Sequence, residues 1–193
     1  LEFRRVLFRS MLHRYEARSL REASHILVAS DYVRRQIPAW HPSVRTPVQV
    51  VGGGANLEQF QPSADREQIR LSAGLLPGER MFLAVRRLDP RMGLRELVDA
   101  FGYLAPRHPE VRLWIAGKGA MQAELEEKIE NLAVCRQVRL IGFVPESDLA
   151  RLYSMSDVVI MPSLDLEGFG LVTAESMACG TPVLASRSGA NAE

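Results

Sequence analysis

The chain has few of the residues that carry disulfide or metal chemistry. Its 193 residues include only two cysteines, Cys135 and Cys179, and four histidines. The histidines are His13, His25, His41 and His108. Neither set has the spacing of a metal site or of a disulfide framework, and unpaired cysteines suit a reducing compartment. The sequence therefore predicts no metal site, no cofactor and no disulfide, and indicates that the histidines are surface or structural residues.

A strong charge of one sign and a long apolar run are also lacking. The 24 basic and 23 acidic residues leave a net charge of +1, which argues against nucleic-acid binding. No apolar run approaches the roughly 20 residues that a membrane span needs, and no signal peptide is recognisable. We therefore expect a cytoplasmic protein. With 47% hydrophobic residues, the composition is globular and sufficient for one domain and part of another.

From Met81 onward, short apolar runs alternate with segments of helical period. The runs that predict strands are Met81–Val85, Val111–Ala116, Val138–Val144, Val158–Met161 and Pro182–Ala185. Near-continuous apolar runs are typical of parallel strands covered on both faces, and the segments between them repeat apolar residues every three or four positions. The alternation predicts an α/β fold, a Rossmann-like doubly wound parallel sheet.

The first 80 residues are organised differently. Residues 1–10 have no period and resemble a translated sequencing adapter, so we expect a non-native leader. Residues 11–60 indicate the last βαβ piece of a preceding domain and a crossover, with a helix that stops before Pro38. Residues 61–80 are predicted to be a linker with one helical stretch. Both ends are abrupt, and we expect a fragment truncated at each end.

The most informative segment runs from Pro162 to Pro182. Glu167 and Glu175 have seven residues between them, and the glycines in this segment lie where a strand passes into a helix. That is the carboxyl edge of a sheet, where open α/β sheets bind ligands. A carboxylate on the apolar helix is costly to bury without a partner, so Glu175 is interpreted as an acceptor for sugar or ribose hydroxyls. The alternative for Glu175 is a solvated helix glutamate.

A glycosidase pair is a further alternative for the two acids. Residues eight apart on a helix lie about 12 Å apart along its axis, whereas hydrolase pairs need roughly 5–9.5 Å. Because Glu167 precedes the helix, the gap could shrink, but the spacing favours two separate contacts along one elongated ligand.

The run from Glu167 to Glu175, Glu-Gly-Phe-Gly-Leu-Val-Thr-Ala-Glu, resembles the acidic motif of family 4 glycosyltransferases. These are retaining enzymes of the two-domain GT-B fold, and the resemblance covers nearly all of residues 15–193. It implies that Glu175 holds the ribose of a nucleotide-sugar donor and that Glu167 contacts the transferred sugar as a catalytic residue. The remaining donor-binding residues that it implies in this segment are Gly168, Phe169, Gly170 and Leu171.

Three further motifs follow the predicted strands. Arg86, Arg87 and Arg91 crowd the end of the first, where guanidinium groups suit a diphosphate, although such a cluster is as often a solvated loop. Arg87 matches the family's arginine and is implied to be catalytic, but Met92 stands where the family has a lysine. Arg91 and Lys118 are the candidates to supply that charge.

The glycine loop with Gly117 and Lys118 matches the family's donor-site loop. Phe143 and Val144 resemble a turn near the nucleotide base, and the alternative for Phe143 is a core aromatic.

The resemblance implies transfer of a sugar to an acceptor hydroxyl, with retention and without a metal. The acceptor would be a glycan or a lipid-linked molecule, as in polysaccharide biosynthesis. Its site, and any peripheral membrane contact, would belong to the N-terminal domain, so we expect no turnover from this chain alone. Two alternatives stay open: an epimerase or hydrolase on the same fold, and a non-catalytic nucleotide-sugar binding module, which Met92 suggests.

Overall fold

The computed structural model describes the backbone of residues 2–193 and the side chains of residues 11–193. The predicted leader, residues 1–10, lies outside the residues whose side chains are described. The helices and strands in chain order are α1 (Glu2–Glu22), β1 (Ile26–Val28), α2 (Asp31–Trp40), β2 (Val48–Val50), α3 (Arg66–Ser72), β3 (Arg80–Val85), α4 (Leu94–Leu104), β4 (Val111–Ala116), α5 (Gln122–Asn131), β5 (Val138–Gly142), α6 (Glu146–Met155), β6 (Val158–Met161), α7 (Leu171–Ala178) and β7 (Val183–Ala185). The chain divides into two compact units between Gly53 and Gly54.

The first unit contains the predicted βαβ piece. Strands β1 and β2 pair in parallel, with Ile26 opposite Val48, and α2 connects them. Ser30 caps α2, and its hydroxyl oxygen accepts the amide of Val33 at 3.2 Å. The prediction that the helix stops before Pro38 was wrong. Proline removes only one amide near the end of the helix, and α2 continues to Trp40.

The second unit is built on a five-stranded, all-parallel sheet in the order β5-β4-β3-β6-β7. From β3 the chain adds β4 and then β5 on one side, after which it returns to place β6 and β7 on the other. The strand order therefore reverses between β3 and β6. The doubly wound parallel sheet that the sequence predicted is confirmed, and its switch point lies between these two strands.

Helices cover both faces of this sheet. On one face, α4 and α5 pack against alternate residues of β3 and β4, such as Ala84 and Leu113. On the other face, α3, α6 and α7 pack against the intervening residues, such as Met81 and Leu83. Burial on both sides explains why these strands have continuous apolar runs rather than an alternating pattern.

The predicted linker, residues 61–80, takes part in this packing. Leu75 is buried in the core of the second face. Arg70 of α3 is buried and donates to Asp157 at 3.1 Å and to the carbonyl of Glu79. Asp157 also accepts the amide of Met81 at 2.7 Å and Arg66 at 2.8 Å. The carboxylate of Asp157 thus ties α3 to the start of β6.

This carboxylate makes stability depend on pH. Burial by itself raises the pKa of Asp157, but the amide of Met81 and the guanidinium groups of Arg66 and Arg70 outweigh it, so the pKa lies below its usual value of 3.8. A carboxyl group whose pKa is lowered by folding stabilises the fold above its unfolded pKa, and that contribution is lost as the pH falls through the folded pKa. We expect the melting temperature to fall below about pH 5, and to fall less in Asp157→Ala. Melts between pH 7 and pH 3 test this. Asp148→Ala, on the exposed side of α6, should keep the wild-type profile, and an identical profile for Asp157→Ala would contradict the assignment.

Among the residues that the structure describes, no helix combines the length and the apolar character required to cross a membrane.

Candidate functional site

The loops that follow β3 and β6 meet at the switch point. Gly93 directly precedes α4 and has a φ of +70°, and a Cβ at this position would clash with the carbonyl of Pro162. The amide of Leu164 donates to the carbonyl of Arg91 at 2.9 Å. The close approach and this hydrogen bond fix the arginine-rich loop against the loop that leads into the acidic motif.

The glycine loop after β4 joins the same edge. Gly117 has a φ of +141°, and a Cβ there would clash with the carbonyl of Arg86. The carbonyl of Lys118 accepts the amide of Leu88 at 3.0 Å, and the amide of Gly117 donates to Gly142 at 2.7 Å. The carboxyl ends of β3, β4 and β5 are therefore held together by backbone contacts that only a glycine at position 117 allows.

Glu167 is held by two side chains. Its Oε2 accepts a hydrogen bond from the guanidinium of Arg86 and one from the hydroxyl of Ser163 at 3.0 Å. The side chains of the ion pair are only 8% exposed for Arg86 and 12% for Glu167. A carboxylate at this depth needs a charged partner, and Arg86 provides it.

Glu175 is held in a similar way on the second turn of α7. The hydroxyl of Tyr153, on α6, donates to Oε2 of Glu175 at 2.8 Å. Burial raises the pKa of Glu175, the hydrogen bond from Tyr153 lowers it, and the charge of Glu146 raises it, with a net shift upward. Burial, followed by the contact with Glu175, raises the pKa of Tyr153. Tyr153 is therefore a neutral donor that orients the carboxylate.

Each acid keeps one carboxylate oxygen without a partner. Oε1 of Glu167 and Oε1 of Glu175 make no hydrogen bond with any residue that the structure describes. A held carboxylate with one open oxygen is suited to accept hydroxyl groups from a ligand. The interpretation of Glu175 as a solvated helix residue does not fit its partly buried, hydrogen-bonded position.

The backbone between the two acids presents donors. Gly168 and Phe169 are half-buried, Gly170 is buried at the start of α7, and the side chain of Leu171 is exposed. Within the described part of the chain, the amides from Gly168 to Val172 donate to no other residue. The first amides of a helix attract anions because of their free N–H groups and the helix dipole.

Lys118 and Phe143 lie side by side at the edge of β4 and β5. The Nζ of Lys118 is 5.9 Å from the centroid of the Phe143 ring, and Phe143 is 65% exposed. The core alternative for Phe143 is therefore wrong. Val144 is half-buried and packs in the core of the second face. Its side chain therefore contributes less than that of Phe143 to the surface beside Lys118.

The arginine loop differs in detail from the sequence prediction. Arg87, predicted to be catalytic, is exposed. Its carbonyl accepts the amide of Asp89 at 2.9 Å, but its side chain makes no hydrogen bond or ion pair with another described residue, and its role stays a prediction. Arg91 donates to the carbonyl of Leu166 at 3.2 Å. Met92 is buried in the core of the first face and provides no charge to the site. Arg86 is the arginine that contacts an acid of the motif.

Ser163 and Tyr153 were not among the predicted site residues, and Arg86 was predicted only as part of the arginine cluster that suits a diphosphate. The sequence had one usable signal for Tyr153, because a tyrosine at a core position of an amphipathic helix needs a partner for its hydroxyl. No signal pointed to the contact of Arg86 with Glu167, because the two residues lie in different loops, and none pointed to Ser163.

These features define a class: a doubly wound α/β domain whose acids, amides and cations gather at the switch point, where such folds bind nucleotides. Comparison with known proteins gives the family. Residues 65–193 match the family described as Glycosyl transferases group 1, and the chain belongs to it.

Two curated relatives are named as glycosyltransferases. The chain is 33% identical over 181 residues to an uncharacterized glycosyltransferase of Methanocaldococcus jannaschii, covering 92% of this chain and 46% of that protein. It is 34% identical to the D-inositol 3-phosphate glycosyltransferase of Mycobacterium marinum, covering 87% of this chain and 36% of that protein. The chain therefore spans less than half the length of these two relatives.

Two solved structures share the fold. Sucrose-phosphate synthase from Thermosynechococcus elongatus is 31% identical, with a TM-score of 0.81 over 93% of this chain and 45% of that chain. The Anabaena protein HepE, solved with UDP and glucose, is 26% identical, with a TM-score of 0.82 over 93% of this chain and 49% of that chain. The sheet matches the C-terminal domains of GT-B glycosyltransferases, so the predicted fold class and the GT-B type are confirmed.

Proposed function

We propose that this chain is the donor-binding part of a glycosyltransferase that moves a sugar from a nucleoside-diphosphate donor to an acceptor hydroxyl. The observation that carries the proposal is the pair of held carboxylates, each with one open oxygen. Two such acceptors at a switch point suit a ligand that has hydroxyl groups at both ends. Glu175 accepts the hydroxyls of the ribose, and Glu167 accepts those of the transferred sugar.

The diphosphate lies between these contacts. The unpaired amides from Gly168 to Val172 support this, because they combine free N–H groups with the positive end of the α7 dipole. The guanidinium of Arg87 and the ammonium of Lys118 add positive charge, and Arg91 reaches the same loop. These groups stabilise the charge that grows on the leaving diphosphate, which is the main demand of such a reaction.

The base rests beside Phe143, whose exposed ring provides a stacking surface with Lys118 above it. A relative solved with UDP and glucose supports uracil as the first base to test. We further propose transfer with retention, as in family 4 enzymes, without a metal in the donor site. The acceptor is a glycan or a lipid-linked molecule, and the protein works in the cytoplasm or at the membrane surface.

One observation favours a second candidate, a non-catalytic module that binds nucleotide-sugars. Met92 replaces the lysine that the family uses near the diphosphate, and its side chain is 8% exposed within the core. The charge must then come from Lys118, Arg87 or Arg91. If these groups are too distant, the site retains its shape but binds the donor weakly.

Thermal melts of the chain with UDP, GDP and ADP test the proposal. A ligand that binds only the folded state raises the melting temperature, by an amount that grows with its concentration. We expect UDP to raise the temperature of a cooperative transition and GDP and ADP to raise it less. A cooperative melt that no nucleotide shifts would contradict the donor-site proposal and favour the weak-module candidate.

A further inference from the structure

Three side chains of the first unit bring metal-binding atoms together. His13 and Glu16 lie three residues apart on α1 and therefore share one face of the helix. His41 is the residue directly after α2. One ligand atom from each of the three lies within 4.8 Å of the others. The linear sequence shows no such grouping, because His41 follows the other two only after a strand and a helix.

The distance between a ring nitrogen of His41 and a carboxylate oxygen of Glu16 allows both atoms to bind one ion. Nε2 of His41 lies 3.3 Å from Oε2 of Glu16. A direct charge-assisted hydrogen bond between such groups would be about 2.7–2.9 Å long. Two ligands of one tetrahedral ion, each about 2.0–2.1 Å from the metal, lie about 3.4 Å apart. The observed separation is compatible with the edge of a coordination tetrahedron, although the direct pair between His108 and Glu110 is almost as long.

The two imidazole rings lie side by side. The ring of His41 stacks on that of His13, with centroids 4.4 Å apart. A nitrogen binds a metal in the plane of its ring, so the exposed ring of His13 has to turn out of this stack to share an ion with His41. The side chain of His41 is 2% exposed, and its Nδ1 has no hydrogen-bond partner among the described residues. Nε2, which lies near Glu16, is the nitrogen placed to bind an ion.

We propose that His13, Glu16 and His41 form a site for a divalent transition cation such as Zn²⁺. Two imidazole nitrogens and one carboxylate are a common protein set for zinc, and they leave the fourth position to water. The three residues belong to the first unit, whereas the residues of the proposed donor site belong to the second. Residues 11–16 of α1 are all exposed, so apolar packing does not hold this part of the helix. An ion bound at three points would fasten it to the end of α2.

Metal titration of the untagged chain tests this site. Calorimetry with ZnCl₂ gives affinity and stoichiometry, and Co²⁺ gives the visible absorption bands of a tetrahedral site. We expect one Zn²⁺ per chain and an affinity at least about tenfold weaker in His13→Ala and in Glu16→Gln, because even the loss of an outer partner costs about that much. Both positions are exposed, so neither change should prevent folding.

His108→Ala is the matched control. His108 and Glu110 form a pair 3.2 Å apart, with no third ligand close by among the described residues. This variant should bind Zn²⁺ as the wild type does. The proposal would be overturned if the wild type showed no saturable binding, if His13→Ala and Glu16→Gln bound as tightly as the wild type, or if His108→Ala lost the binding.

Discussion

Replacing Arg86 with leucine should lower the free energy of unfolding by about 3–5 kcal/mol, the usual cost of removing one partner of a buried ion pair. Arg86 and Glu167 are 8% and 12% exposed, so solvent cannot replace the lost contact. Leucine would leave the Glu167 carboxylate with only the hydroxyl of Ser163. The loss comes mainly from an uncompensated buried charge, and less from the attraction that the pair provides.

Urea unfolding followed by circular dichroism measures this loss. The double variant Arg86→Leu/Glu167→Leu removes both charges and should recover most of the stability. Arg91→Leu is the control, since Arg91 is about 41% exposed and lies 3.9 Å from Asp89, and it should cost under about 1 kcal/mol. If Arg86→Leu were as mild as Arg91→Leu, the pair would be solvated and Glu167 would not be a held carboxylate.

The sheet could be predicted from the sequence because its strands are buried on both faces. The predicted bounds Val111–Ala116 and Val158–Met161 agree with β4 and β6, since a strand covered by helices on both sides is apolar at nearly every position. The position of the acidic motif at the carboxyl edge followed from the strand that precedes it. These features depend on local pattern, and local pattern is what a single sequence contains.

The partners of the two acids could not be predicted in this way. Arg86 and Glu167 are 81 residues apart, and Tyr153 and Glu175 are 22 apart and on different helices. Which of two adjacent arginines faces the site depends on how the loop after β3 leaves the sheet. The resemblance selected Arg87, whereas the packing of the loops brings Arg86 to Glu167.

The histidines illustrate the same limit. His13 and His41 are far apart in sequence, and only the fold of α1 against the end of α2 stacks their rings. Spacing rules find metal sites whose ligands lie on one element or in one short motif. A site assembled from two elements becomes visible only once the packing is known.

Glu175→Ala should weaken UDP binding by about 10- to 150-fold. This range corresponds to the roughly 1.5–3 kcal/mol of hydrogen bonds to a charged group. The open oxygen of Glu175 is the proposed acceptor for the ribose hydroxyls, and alanine removes it. Calorimetry with UDP measures the change. Glu127→Ala, an exposed glutamate on α5, should bind UDP as the wild type does. An affinity for UDP that is unchanged in Glu175→Ala would remove this residue from the donor site.

Tyr153→Phe and the pH profile separate binding from packing. Phenylalanine keeps the bulk of Tyr153 but loses the 2.8 Å hydrogen bond to Glu175, so UDP affinity should fall while the melt stays cooperative.

Because burial raises the pKa of Glu175, acidification should protonate this carboxyl at a higher pH than an exposed one, and UDP affinity should fall with it. Glu175→Gln has no proton to gain at this position, so its affinity should fall less over the same pH range, by the amount due to protonation of UDP itself. A glutamate that served only to pack α7 against α6 would produce neither the affinity loss in Tyr153→Phe nor the difference between the two pH profiles.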